Sequence, residues 1–286
     1  MDINTFRERY PEKTAALSSG NFKYRYFQNP DKKETVALFT GGIGFSDLFY
    51  RHFYDFAKEF SVITFDYHEE YKGAEEFCSA LSELFKKLRI KPYLVGQSLG
   101  GFVAQVMAKE HPEDVKGLIL SNTGTLSADM GPDAEKFLNK MLTSQKFAKL
   151  LLKVMPFSLY KKLTAKLITK MIPSDKFAGD SGTASEMQEI TLQLMNRSYE
   201  EHMINFLCAL NDCQKSRPSD FEYLRGRVLL ILSEDDDTFN DGVKDALINV
   251  MPDPDIVRDI AGGHLALILN PEAYERRVCD FINSRI

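Results

Sequence analysis

Several things are scarce in this sequence, and each scarcity removes a class of function. Net positive charge is the first: 36 Lys and Arg face 41 Asp and Glu across 286 residues, a formal charge of −5. A nucleic-acid binder needs a basic face for phosphate contacts, so no nucleic-acid partner is expected. Cysteine is sparse. Cys78, Cys208, Cys213 and Cys279 form neither a CxxC metal pair nor a dense disulfide framework, and reduced thiols in a cytoplasmic protein are the expectation. No apolar run approaches the roughly 20 residues that span a bilayer. The opening MDINTFRERYPEK has no basic segment followed by an apolar stretch and is not expected to act as a secretory signal. Internal repeats and low-complexity tracts are also missing, which argues against solenoids and linkers.

What remains is an ordinary globular composition, 44% hydrophobic and 27% charged, in a chain long enough for one large α/β domain with an insertion. Short β-rich runs predict strands at Phe22 to Phe27, Thr35 to Thr40, Ser61 to Tyr67, Pro92 to Val95, Gly117 to Ser121, Arg227 to Leu232 and Asp255 to Arg258. Several, such as VALF, YLV and VLLIL, lack polar alternation, as strands covered on both faces of a parallel sheet do. Helical patterns fall between them at Leu48 to Phe60, Ala74 to Leu88, Gly101 to Lys109, Gly242 to Asn249 and Pro271 to Ile282. This alternation predicts a doubly wound, mostly parallel α/β sheet.

The alternation stops between about Thr125 and Pro218, where only helical spacing is visible. Leu159, Leu163, Leu167 and Met171 are four apart, and Met203, Leu207 and Leu210 follow a helical repeat. Pro156, Pro173 and the Gly179 to Gly182 region interrupt the pattern, giving about four helices. The expected organisation is therefore a core of residues 1–124 and 219–286 with an all-helical cap over 125–218. Within the cap, Gly131 to Lys176 holds ten lysines against Asp133, Glu135 and Asp175. A solvated face explains such a run most simply, while an anionic substrate, an acidic partner or a membrane surface would be functional explanations.

The segment PYLVGQSLGGFVAQVMA, Pro92 to Ala108, places Gly96-Gln97-Ser98-Leu99-Gly100 between an apolar strand and a helix. G-x-S-x-G recurs by chance, but at a strand-to-helix junction it has the setting of a nucleophile turn. Gly96 and Gly100 remove side chains that would collide in so sharp a bend. Ser98 is then at a helix amino end, where free N–H groups favour negative charge on a substrate oxygen. A serine needs a base. Of five histidines, His264 follows the last strand in Ala261-Gly262-Gly263-His264-Leu265, where ligands gather at a parallel sheet's carboxyl edge. His52 and His111 fall in helical, surface-type contexts, His202 in the cap, and His68 just after a strand. The imidazole needs a carboxylate to fix its tautomer, and Glu234, Asp235, Asp236 and Asp237 follow the strand at Val228 to Leu232. Four adjacent acids cannot all face one site. For the oxyanion, the N–H of Leu99 is one candidate donor and that of Gly42, in the loop Phe39-Thr40-Gly41-Gly42-Ile43-Gly44, the other. The same loop lacks the Lys-Ser/Thr and the spacing of nucleotide-binding glycine loops.

These motifs resemble the α/β-hydrolase superfamily from about Lys23 to the end. HPEDVKGLILSNT, His111 to Thr123, is similar to its stretch after the nucleophile helix, and GGHLALILNPE, Gly262 to Glu272, to its histidine loop. The order Ser, Asp, His is that superfamily's order. Its acid motif, Gly-Glu-x-Asp-Pro, falls on Ser233 to Asp237 and implies Asp236 as the acid, with Asp237 second because the flanking glycine and proline are absent. Thr40-Gly41 stands where the usual His-Gly would be. A narrower likeness, in EEFCSALSELFKKLRIKPYLVGQSLGGFVAQ and LNDCQ, is to maspardin-like chains, which resemble hydrolases but lack a complete triad. The resemblance implies a serine hydrolase of small to medium apolar acyl substrates, with Ser98, His264 and Asp236 as triad and with no metal or cofactor. A non-catalytic binding protein that docks through its basic cap is the alternative. Oligomeric state is left open.

Overall fold

The computed structural model describes residues 1–170 and 181–285; the readings at Met171, Pro173, Asp175, Lys176 and Gly179 lie outside them. Eight strands form one sheet: β1 (Lys13–Leu17), β2 (Gly20–Phe27), β3 (Thr35–Phe39), β4 (Ser61–Thr64), β5 (Tyr93–Gln97), β6 (Gly117–Ser121), β7 (Val228–Ile231) and β8 (Asp255–Val257). Their spatial order is β1-β2-β4-β3-β5-β6-β7-β8. β2 pairs antiparallel with both β1 and β4, and every pair from β4 through β3 to β8 is parallel.

Twelve helices are described: α1 (Ile3–Arg9), α2 (Tyr50–Phe56), α3 (Ala74–Leu88), α4 (Leu99–Glu110), α5 (Pro132–Val154), α6 (Phe157–Lys170), α7 (Ser181–Leu194), α8 (Arg197–Ala209), α9 (Pro218–Phe221), α10 (Asp241–Val250), α11 (Ala266–Leu269) and α12 (Pro271–Asn283). None is long and apolar enough to cross a membrane. Side chains alternate across a strand, so β3 divides its residues between two cores. Ala37 and Phe39 join Leu81, Leu84 and Val103 from α3 and α4. Val36 and Leu38 join Phe53, Val278 and Ile282 from α2 and α12. Burial on both faces is why these strands lack polar alternation.

The elements differ from expectation mainly at the periphery. β1 goes unread because it is an edge strand with one fully buried residue, Ala15, among exposed ones, too short a signal to separate from coil. α1 is likewise added at the amino end. The helix expected over Leu48 to Phe60 is a 3-10 turn at Ser46–Phe49 followed by α2. The strand expected to reach Tyr67 ends at Thr64, where pairing with β3 runs out at Leu38. Between β6 and β7 the described residues hold α5 to α9 and no strand, α5 to α8 forming one excursion. That excursion leaves and returns at one point: Ala128 N–H donates to Ser216 O at 2.8 Å and Ser216 N–H to Leu126 O at 2.8 Å.

Candidate active site

Because β3 and β5 to β8 run parallel, the loops after their carboxyl ends share one edge of the sheet. The loop after β5 is the turn at Ser98, which joins β5 directly to α4. Ser98 has φ 53° and ψ −119°, a conformation that costs a non-glycine residue about 1–3 kcal/mol. The surroundings impose it. Ser98 N–H donates to Ser121 O at 3.0 Å and Thr123 Oγ1 donates to Ser98 O at 2.6 Å. A Cβ on Gly96 would lie 2.4 Å from Gly100 O, and one on Gly100 2.1 Å from Phe39 O. Both are backbone atoms with nowhere to go, so strand, turn and helix can close up only with glycine at these positions.

His264 reaches Ser98 from the loop after β8. Gly262 and Gly263 have φ of 124° and 57°, left-handed conformations that glycine adopts without a Cβ penalty. They deliver the ring with Nε2 2.9 Å from Ser98 Oγ. Its other nitrogen, Nδ1, is 3.2 Å from Asp236 Oδ2. His264 is buried, and the Phe239 ring is 5.6 Å from it. Gln97 Nε2 donates to the His264 carbonyl at 3.1 Å, which fixes the loop from beneath.

The structure distinguishes the four acids after β7. Asp236 is buried beside the imidazole, while Glu234 and Asp237 are exposed. Asp235 turns the other way and accepts the Gly262 N–H at 2.9 Å, so it holds the histidine loop by its backbone. Burial pushes the Asp236 carboxyl up. Hydrogen bonds from His264 and from the Thr238 N–H at 2.8 Å overcome that, and its pKa ends below the usual value of 3.8. Lys244, itself buried, donates to the Asp236 carbonyl at 2.9 Å.

Asn122, at the end of β6, has a role that sequence reasoning missed. Its Oδ1 accepts the Ser233 N–H at 2.9 Å, and its Nδ2 donates to Ser233 Oγ at 3.1 Å and to Gly263 O at 2.8 Å. One side chain thus ties the acid loop to the histidine loop. The available signal was a polar, turn-prone residue ending an apolar strand beside the nucleophile strand, since Asn tolerates its φ of 41° better than most.

A cavity of about 330 Å³ opens over Ser98 and His264. Thr40 to Gly44, Ser98 and Leu99 line its floor, and Met141, Gln145, Ile168, Met187, Leu207 and Leu210 form the opposite wall. The wall belongs to the helices between β6 and β7 and to the turn after α8, and it is almost entirely apolar. Gly42 faces open space, with nothing within 4 Å of where a Cβ would stand. Leu99 is the first residue of α4, so its N–H has no acceptor within the helix.

The other histidines are elsewhere, and one corrects its expected setting. His52 is buried rather than on the surface, because α2 packs on α12: its Nδ1 is 2.8 Å from Glu275 Oε1, and its ring lies against Phe49, Phe56 and Tyr274. His68 bonds to Lys23 O at 2.8 Å and packs on Phe22. His202 lies against Tyr199 and Phe206. His111 caps the end of α4 away from Ser98 and groups with Glu113 and Asp114. Asp114 is already engaged there by Ser82 at 2.6 Å and Lys86 at 3.3 Å.

An eight-stranded, mostly parallel sheet with a strained serine turn after β5 and a histidine after the last strand defines an α/β hydrolase. The family model described as alpha/beta hydrolase fold matches residues 76–271, and the chain belongs to that family. Similar solved structures include a thermophilic esterase from Thermogutta terrifontis, with 16% identity, TM-score 0.74 and coverage of 96% of this chain and 98% of that one. An enol-lactonase from Burkholderia xenovorans has 14% identity, TM-score 0.73 and coverage of 95% and 100%. A hydrolase from Pseudomonas aeruginosa has 18% identity, TM-score 0.69 and coverage of 95% and 98%. At these identities the likeness is one of fold. No curated protein matches the sequence.

Proposed function

We propose that the protein is a serine hydrolase that cleaves an ester, thioester or related acyl bond of a small to medium apolar substrate through an acyl-enzyme. One observation carries this reading: the unbroken sequence of contacts from Ser98 Oγ to His264 Nε2 at 2.9 Å and from His264 Nδ1 to Asp236 Oδ2 at 3.2 Å. Ser98 O–H donates to Nε2, and Nδ1–H donates to the carboxylate, which holds the ring in the tautomer that can accept a proton. Attack of Oγ on the acyl carbonyl passes the serine proton to Nε2. The carbonyl electrons move onto oxygen, and the N–H groups of Leu99 and Gly42 stabilise that oxyanion. Collapse breaks the bond to the alcohol or thiol, which leaves with the proton from Nε2. Water repeats the sequence on the acyl-enzyme: His264 takes its proton, and Ser98 departs with that proton as the carboxylic acid is released.

The apolar wall opposite Ser98 supports an apolar acyl or alcohol group, and the helices that supply it act in this reading as the cap. Labelling with a fluorophosphonate reagent, which needs an activated serine, tests the proposal. The folded protein should label at Ser98 and hydrolyse short acyl esters, and Ser98→Ala should do neither. A folded wild type that never labels would instead favour a binding protein built on the same scaffold.

A further inference from the structure

Among the described residues, eight large apolar side chains stand out in solvent. Six of them, Phe147, Leu150, Val154, Leu159, Leu163 and Leu167, are on α5 and α6, at 38% to 70% exposed. Their spacing makes two stripes. Positions 147, 150 and 154 share one side of α5, and 159, 163 and 167 one side of α6. Val154 and Leu159 flank the turn at Pro156, which Arg197 fixes by donating to Met155 O at 3.0 Å.

Lysines border both stripes. Lys136, Lys140, Lys146, Lys153, Lys162 and Lys166 are all exposed, and none has an ion-pair partner among the described residues. Residues 131–170 hold nine lysines, no arginine and two acids, in a chain whose total charge is −5. These two helices therefore carry a surplus of seven positive charges on a molecule that is otherwise strongly acidic. The same two helices carry Met141, Gln145 and Ile168 on the cavity wall, so the stripe and the cavity share their helices.

We infer that α5 and α6 dock on an anionic lipid bilayer, with the apolar stripes entering the headgroup boundary and the lysines meeting lipid phosphates. The composition favours a bilayer over a protein partner. Protein interfaces enrich aromatic residues and Arg and deplete Lys at their centres, whereas this face has one aromatic ring, no Arg and a fringe of lysines. A basic amphipathic surface with aliphatic anchors is the pattern of interfacial helices. The inference does not depend on the chemistry at Ser98, and Ser98→Ala should dock as the wild type does.

The absence of tryptophan from the sequence makes a clean test available. Leu150→Trp introduces the only indole, and Ile256→Trp, on the exposed part of edge strand β8, serves as control. With vesicles of phosphatidylcholine containing about one third phosphatidylglycerol, the emission of the indole in Leu150→Trp should shift to the blue and the protein should co-sediment, at least roughly tenfold tighter than with phosphatidylcholine alone. Raising salt from about 0.1 M to 0.5 M should weaken binding by roughly tenfold or more. Lys146→Glu with Lys153→Glu, Lys162→Glu and Lys166→Glu should abolish it. Several outcomes would overturn the inference: no shift and no co-sedimentation with anionic vesicles, equal affinity for neutral ones, or a shift in the Ile256→Trp control as large as that in Leu150→Trp. Light scattering that shows a dimer lost on Leu150→Ser with Leu163→Ser, together with no vesicle binding, would assign the face to a second copy. Every substituted position is exposed, so unchanged melting checks the fold, and the Leu150→Trp measurement stands even if a multiple variant fails.

Discussion

Ser98 is held in a backbone conformation that a serine enters only when its neighbours require it. Ser98→Gly should relieve about 1–3 kcal/mol of strain, offset by the roughly 0.5–1 kcal/mol of extra chain entropy that glycine loses on folding. The variant should therefore unfold at higher urea than the wild type, by about 1 kcal/mol, while losing the proposed activity; an equal or lower midpoint would show that the turn is unstrained. Asp236 and Asp237 are neighbours with opposite settings, one buried on the imidazole and the other exposed. Asp236→Asn should lower kcat by about 10⁴-fold, the cost of losing the ring-orienting carboxylate, and Asp237→Asn should leave it near wild type. Acid stability follows from the same carboxyl. Its pKa in the folded protein is below the ordinary 3.8, so its charged form favours the folded state above that pH, and the contribution is lost as pH falls through the folded pKa. The urea-midpoint gap between wild type and Asp236→Asn should narrow on going from pH 6 towards pH 3.

At the scale of the elements, Gly100 and Gly42 make opposite predictions. Gly100→Ala puts a Cβ onto the backbone of the β3 exit and should cost about 3 kcal/mol or more, or prevent folding. Gly42→Ala meets open space and should change stability by no more than about 0.5 kcal/mol; thermal melts of the two variants separate these cases. Asn122→Ala should destabilise by about 1–3 kcal/mol, because it leaves the Ser233 N–H buried and unpaired, and should slow turnover by loosening both loops. The same elements show what was legible in the chain. Strands covered on both faces announced themselves as apolar runs, and G-x-S-x-G between a strand and a helix marked its own junction. β1, with one fully buried residue, carried too little pattern. The meeting of Ser233, Asn122 and Gly263, and of Asp236 with His264, depends on which strands are neighbours. No local spacing encodes that, which is why the acid rested on resemblance and Asn122 went unseen. His52 read as a surface residue because its partner, Glu275, is 223 positions away.

Across the whole molecule, the sheet edge carries Ser98, His264 and Asp236, and the helices between β6 and β7 supply the cavity wall opposite Ser98. In the proposed hydrolase, selectivity and chemistry would then be separable. Leu207→Phe, which narrows the cavity from the wall side, should lower kcat/KM for long acyl esters by roughly tenfold relative to acetyl esters, without changing fluorophosphonate labelling. A parallel loss on acetyl esters would mean that α8 also positions the reacting groups. The junction of the excursion has its own consequence. Its two ends are stitched together by the bonds joining Leu126, Ala128 and Ser216, while β6 and β7 pair directly beneath. To the sheet the whole excursion is equivalent to a short hairpin. In the proposed hydrolase, selection or an engineer can exchange it as a cassette to change specificity while Ser98, His264 and Asp236 stay on the sheet edge, provided the replacement keeps the packing of Tyr199 and Phe206 on Phe45 and Tyr67.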